Sequence, residues 1–209
     1  MAIDRKRLVL RLPLSTADRS GFLAQVNRSG RPFIYPTETF YALGCLATND
    51  QAIKQIFQIK KRSTKMPLLV LIGSLEQLQQ FCGPLTKAQL IFLETHWPAP
   101  LSVILPAKRL SPFLNQQGHD VAFRMTSHTE VRGLIQDSDA PWVGTSANIS
   151  RMMPFSNFNE VYSQFSPQIG LWLNGGDCPG GKASTLVALH KNGSIQIHRQ
   201  GAYDISSFP

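Results

Sequence analysis

The chain has 209 residues, of which 43% are hydrophobic and 16% charged, enough apolar material for a substantial core and far from the composition of a disordered polypeptide. Lys and Arg number 21 against 13 Asp and Glu, and the net +8 suits phosphorylated ligands or nucleic acid as well as a plainly solvated basic surface. The cysteines Cys45, Cys82 and Cys178 are odd in number, widely spaced and in no CxxC pair, which points away from a disulfide framework or a zinc site and towards small packing residues.

In chain order, the basic start (Arg5-Lys6-Arg7) is followed by Leu8-Val9-Leu10, which Arg11 and Pro13 soon interrupt. That is too short for a signal-peptide core, and no apolar run reaches spanning length, so a cytoplasmic protein without membrane contact is expected. Ser15-Thr16-Ala17-Asp18 resembles a capping box opening a helix that stops near Gly30. Pro32 to Tyr35 reads as a buried strand feeding the polar loop Thr37-Glu38-Thr39. A second helix is expected from about Asp50 to Ile59, with Ile53, Ile56 and Phe57 on one face. Leu68 to Ile72, bounded by Pro67 and Gly73, suits a strand covered on both faces.

Ser74 and Thr86 each have Gln three residues later, marking two more helix starts. Ser102–Leu105, Val121–Met125 and Trp142-Val143 read as strands, with a short helix around Glu130 to Ile135. A helix over Asn157 to Phe165 precedes a strand-rich tail: Ile169–Leu173, Thr185–Leu189 and Ile195–His198, the last two joined by the hairpin signal Asn192-Gly193. With no repeats, low-complexity tracts or linkers, residues 1–209 are expected to form one α/β (α+β) domain on a mixed sheet.

Four polar segments fall at the ends of these strands and helices, where open α/β sheets place ligands: Thr37-Glu38-Thr39, Lys60-Lys61-Arg62, Thr145-Ser146-Ala147-Asn148 and Lys182-Ala183-Ser184-Thr185. Together they offer cations for phosphate and carboxylate and neutral groups for a polar substrate. Taken singly, each has a plainer reading: the basic triplet complements a helix dipole, and the hydroxyls and amides serve as caps or turns. Gly176 to Ser184 approaches the phosphate-loop pattern, but Ala183 stands where a magnesium-binding hydroxyl belongs. The following segment is strand-like and Pro179 removes an amide donor, so the phosphate-loop reading is rejected. No HExxH, H-x-E or G-x-S-x-G pattern occurs, and Glu38 is the only carboxylate in the polar segments.

Taken in order, these segments resemble the motifs of the YrdC/TsaC family. Tyr35-Pro36-Thr37-Glu38-Thr39-Phe40-Tyr41-Ala42-Leu43-Gly44 is similar to its Y-P-T-[DE]-T-x-Y-G-L-G signature, Lys60-Lys61-Arg62 to K-x-R, and Ser146-Ala147-Asn148 to S-x-N. Trp97 to Ser102 resembles W-P-G-P-[LV]-T, Val121 to Met125 resembles V-A-V-R-[MV], and Cys178 to Thr185 resembles P-G-x-x-S-T. His198-Arg199-Gln200-Gly201 is similar to L-R-P-G, so the matches run in order from about residue 20 to 203. The resemblance implies a twisted mixed β-sheet flanked by helices around a large basic concave cavity, in the family's short form.

It also implies an activity: L-threonine, bicarbonate and ATP giving threonylcarbamoyl-adenylate and pyrophosphate. Partner proteins then transfer the group to tRNA beside the anticodon. On this pattern Thr39, Arg124 and Ser184 surround threonine, while Lys60, Arg62, Ser146, Asn148 and Arg199 surround ATP. Lys60 and Arg62 neutralise the charge moving onto pyrophosphate, and Mg²⁺ arrives on the ATP phosphates with no dedicated protein ligands. Plainer roles stay open, since Arg124 can pair with a core-edge acid and Asn148 can cap a turn. The rival reading is a non-catalytic module of the same fold that binds double-stranded RNA or tRNA. Departures from the pattern are Met66 at a usually polar position, Ala42 and Arg151 at glycines, and Gln200 at a proline.

Overall fold

The computed structural model describes residues 7–114 and 120–205, so most of the basic start lies outside the described residues. Helix boundaries follow the capping chemistry. In α1 (Thr16–Ser29) the Ser15 hydroxyl accepts from the Asp18 amide at 3.1 Å, and Gly30 ends the helix with φ 57°. The side chain of Asn49 caps α2 (Asp50–Ile59), and that of Asn157 caps α6 (Phe158–Phe165). Both arms of a capping box close on α4 (Lys87–His96), between Thr86 and Gln89. Ser74 caps α3 (Leu75–Phe81) in the same way, but Gln77 there leaves the box and bonds Gly73 N and Ile135 O, tying α3 to α5 (Thr129–Gln136).

The strands are β1 (Leu8–Arg11), β2 (Phe33–Tyr35), β3 (Ala42–Gly44), β4 (Leu69–Ile72), β5 (Leu101–Leu105), β6 (Val121–Met125), β7 (Trp142–Ser146), β8 (Leu171–Asn174), β9 (Thr185–Leu189) and β10 (Ile195–Arg199). They form one mixed sheet in the order β1-β8-β2-β3-β7-β4-β6-β5-β9-β10. The chain is therefore mixed α/β, as expected. β1 and β3 are additions to the sequence reading, each only three or four residues long. β1 pairs in parallel with β8, more than 150 positions away, while β3 lies antiparallel between β2 and β7. Among the described residues no helix is long and apolar enough to cross a membrane.

Apolar side chains cover both sheet faces. One cluster gathers Ile53, Ile56 and Phe57 of α2, as their spacing predicts, with Val70, Phe123, Val143 and Trp172. On the other side Phe22 of α1 joins an aromatic group in which the Trp142 ring lies 4.8 Å from Phe33 and 5.2 Å from Tyr35. Such pairs are each worth about 0.5–1.5 kcal/mol beyond their buried area.

The Tyr35 ring lies beside Gly44 and Gly144 on the neighbouring strands, and its hydroxyl donates to Val143 O at 2.8 Å. A Cβ on Gly44 would come within 2.1 Å of that carbonyl and 2.7 Å of the ring. Backbone and ring leave no slack there, so Gly44→Ala is expected to cost more than about 2 kcal/mol in urea unfolding; a loss below about 0.5 kcal/mol would contradict the packing described.

Candidate functional site

The loop after β2 is shaped by one hydroxyl. Thr37 Oγ1 accepts from the amides of Thr39 and Phe40 at 3.2 and 3.3 Å and donates to Phe40 O at 2.7 Å. The resulting tight turn carries Thr39, whose hydroxyl lies 3.1 Å from that of Thr37. Thr39 faces a cavity of about 250 Å³ bounded also by β5, β6, β7 and the segment before β9. This half-open space is smaller than the roughly 300–1,000 Å³ usual for small-molecule sites.

Three guanidinium groups border the cavity, from Arg62, Arg124 and Arg199, and no described acidic residue does. Arg124 on β6 is 5% exposed. Its Nε sits 3.5 Å from Glu38 Oε1, the core-edge acid of the plainer reading, yet neither atom makes a hydrogen bond to a described residue. Glu38 instead accepts a short hydrogen bond from Thr126 through its other oxygen. The guanidinium is thus held by charge while the hydrogen-bonding capacity of its Nε stays open.

Arg62 donates through Nη2 to Pro67 O at 2.8 Å, and Met66 contributes its carbonyl to the same side chain at 3.4 Å. Main-chain carbonyls of Met66 and Pro67 thus orient the Arg62 side chain, and the Met66 side chain itself is exposed. Arg199 on β10 grips Ser184 O through Nε and Nη2 at 3.2 and 2.8 Å. Ser184 in turn pairs with the Ser102 hydroxyl at 2.9 Å. Ser102 is a residue that the site assignments passed over, and it too borders the cavity. Its signal was a lone hydroxyl in the apolar run Leu101–Leu105, where an unpaired polar group would be costly.

Of the predicted site residues, Thr39, Arg62, Arg124, Ser146, Ser184 and Arg199 therefore meet around one cavity. Lys60 and Asn148 lie behind its wall. Lys60 is 1% exposed, and its ammonium donates to Ser146 O, to Asn148 O at 2.8 Å and to Asn148 Oδ1 at 2.7 Å. Although Lys60 is the C-cap residue of α2, its charge is directed into the turn after β7 and not along the helix axis. Burial and the neighbouring Arg62 pull its pKa down to about 7, against which three oxygen acceptors favour the charged form. Asn148 is committed as well: Oδ1 accepts from Ser146 at 2.8 Å and Nδ2 donates to Met152 O.

The glycine-rich segment before Ser184 runs without helix into β9, and Gly180 N donates to Thr39 O at 2.7 Å, bracing the threonine turn. Cys45, Cys82 and Cys178 are all buried, and burial raises each thiol pKa, that of Cys178 to about 11. These are packing residues and not nucleophiles.

Comparison with known proteins places the chain in a family. The Sua5–YciO–YrdC family model, described as "Telomere recombination", matches residues 25–201. A threonylcarbamoyl-AMP synthase of Pyrococcus abyssi is 34% identical over 163 residues, covering 78% of this chain and 48% of that protein. One from Pseudoalteromonas translucida is 32% identical over 165 residues, covering 76% of this chain and 87% of its own. This chain spans about half the length of the Pyrococcus relative. Among solved structures, P. abyssi Sua5 complexed with L-threonine superposes with TM-score 0.84 at 27% identity, over 96% of this chain and 58% of that one. Escherichia coli YciO, at 20% identity, shares the fold with TM-score 0.82 over 97% and 98% of the two chains.

Glu38 is the charge nearest to Arg124 in the ion pairs described. Glu38→Ala is expected to leave that buried guanidinium uncompensated and to lower stability by about 1–3 kcal/mol in urea titrations. Unchanged stability would show that the pair carries no weight in the unliganded protein.

Proposed function

The chain belongs to the Sua5–YciO–YrdC family, and we propose that it is a threonylcarbamoyl-AMP synthase built as a single YrdC-like unit. It condenses L-threonine, bicarbonate and ATP into threonylcarbamoyl-AMP and pyrophosphate, for modification of tRNA directly or through partner proteins in the cytoplasm. The observation that carries the reading is the Arg124 guanidinium, buried at a cavity lined with hydroxyls, ion-paired with Glu38 but with its Nε making no hydrogen bond. A guanidinium so placed is suited to a carboxylate, which it can grip bidentately. Thr39 and the Ser102–Ser184 pair supply the polar contacts a hydroxy amino acid requires.

The threonine amine combines with bicarbonate to give a carbamate and water. A carbamate oxygen then attacks the α-phosphorus of ATP, a new P–O bond forms, and the bond to the β-phosphate bridging oxygen breaks to release pyrophosphate. No protein nucleophile takes part, consistent with three buried thiols and no triad. The enzyme's share is positioning and charge stabilisation. Arg62 and Arg199 stand at the rim where phosphates of a nucleotide would lie. Magnesium carried on ATP would offset phosphate charge when bound, and none of the described residues lining the cavity is a carboxylate that would hold it. An RNA-binding module would use the basic charge but has no use for a buried guanidinium in a small hydroxyl-lined cavity.

Pyrophosphate release should require ATP, threonine and bicarbonate together; release no greater than with ATP alone would refute the synthase. Arg124→Lys, which loses the planar fork, should raise the threonine KM roughly 10- to 100-fold with the ATP KM nearly unchanged. Arg62→Ala should lower turnover by about 100-fold or more in a folded protein, and full turnover would remove Arg62 from the phosphate site.

A further inference from the structure

We infer that Lys60 is a positioning residue that ties the end of α2 to the Ser146–Asn148 turn and acts on the nucleotide only through that turn. The inference rests on the synthase reading for the identity of the nucleotide, and its geometry is independent of it. An ammonium has three protons, and all three of Lys60 are placed on oxygens of one turn: Ser146 O, Asn148 O and Asn148 Oδ1. To reach a phosphate, Lys60 would have to give up all three contacts; Ser146 O and Asn148 Oδ1 would keep Asn148 N and the Ser146 hydroxyl, but Asn148 O would lose its partner in the protein interior, at a cost of about 1–3 kcal/mol. Its side chain is fully buried and does not border the cavity.

The rest of the turn is built on that anchor. Lys60 O accepts from Ser150 N at 2.9 Å, giving a second strap between the same two segments. Asn148 Oδ1 receives both Lys60 and the Ser146 hydroxyl, and its amide nitrogen is spent on Met152 O, so the amide can face only one way. The Ser146 hydroxyl therefore turns its proton inward and offers lone pairs to the cavity. Left-handed backbone at Lys61 (φ 49°) and Arg151 (φ 72°) flanks the knot on both sides, a conformation that non-glycine residues hold only where their surroundings fix it. Arginine cannot replace the lysine here, because a planar fork cannot set three donors around one point. Direct charge for the phosphates then falls to Arg62 and Arg199.

The experiment compares binding of ATP, AMP and threonine by calorimetry at several salt concentrations, in the full chain and its variants. Lys60→Met and Lys60→Arg should both weaken ATP and AMP by the same factor, about 10-fold or more, because the turn is misplaced for either nucleotide. The ATP-to-AMP ratio, the salt dependence and the threonine affinity should stay as in the native chain. Arg62→Ala, the phosphate-contact control, should lower the ratio and flatten the salt dependence. The inference is overturned if Lys60→Met behaves like Arg62→Ala, or if Lys60→Arg binds ATP normally. It is overturned equally if Lys60→Met lowers only thermal stability and leaves both nucleotide affinities intact. Should Lys60→Met fail to fold, Lys60→Gln, which keeps two donors, must give the same pattern. A native chain that binds no ATP refutes the synthase reading and this inference together, whereas native binding with unaffected variants refutes the inference alone.

Discussion

The centre of the molecule depends on one tyrosine laid against two glycines. Because Gly44 and Gly144 have no side chains, the Tyr35 ring can sit beside β3 and β7 and bond Val143 O. That contact locks three strands at the end of the sheet from which both the Thr37–Thr39 turn and the Ser146–Asn148 turn leave. Burial pushes the phenol pKa well above its usual value, so this tie is indifferent to pH across the physiological range. Rigid strands with short polar turns at their ends are what a reaction governed by positioning requires.

The electrostatics are one-sided for the same reason. Arg62, Arg124 and Arg199 face a common space, while the carboxylate paired with Arg124 stays behind it. Like charges held together in a partly dry cavity are unfavourable until an anion arrives, and preorganised donors need no rearrangement when it does. The hydroxyls are grouped in pairs, Thr37 with Thr39 and Ser102 with Ser184. Each pair keeps its members hydrogen-bonded to one another and can re-aim a proton towards a ligand.

Much of this was legible in the sequence because it is written in local chemistry. Ser15, Asn157 and the Thr86–Gln89 box mark helix starts by satisfying orphan amides, and Asn192-Gly193 marks a hairpin because Gly193 adopts φ 89°. The ordered motifs found six residues of one cavity. β3 escaped notice because three residues carry no periodicity, and β1 because its partner β8 is far away in the chain. The direction of the Lys60 ammonium, into the turn after β7, was not legible, because a sequence gives the charge of a side chain and not its orientation. Ser102 was overlooked because its partner, Ser184, lies 82 positions on. For β1, Lys60 and Ser102 the missing information was a long-range contact, which no local propensity encodes.

Arg199 belongs to the final strand, and through Ser184 O it fastens the wall of a cavity whose first turn is at Thr37. Gly201 completes that seam, since its backbone approaches Ala183 so closely that a Cβ would come within 2.2 Å of the carbonyl. During synthesis on a ribosome the parts therefore emerge over nearly the whole length of the chain. A nascent protein lacking β10 has the Thr37 turn and Arg124 in hand but no clasp to hold Ser184 in place. Closure of this wall then waits for β10, and contacts so distant in sequence make for slow assembly.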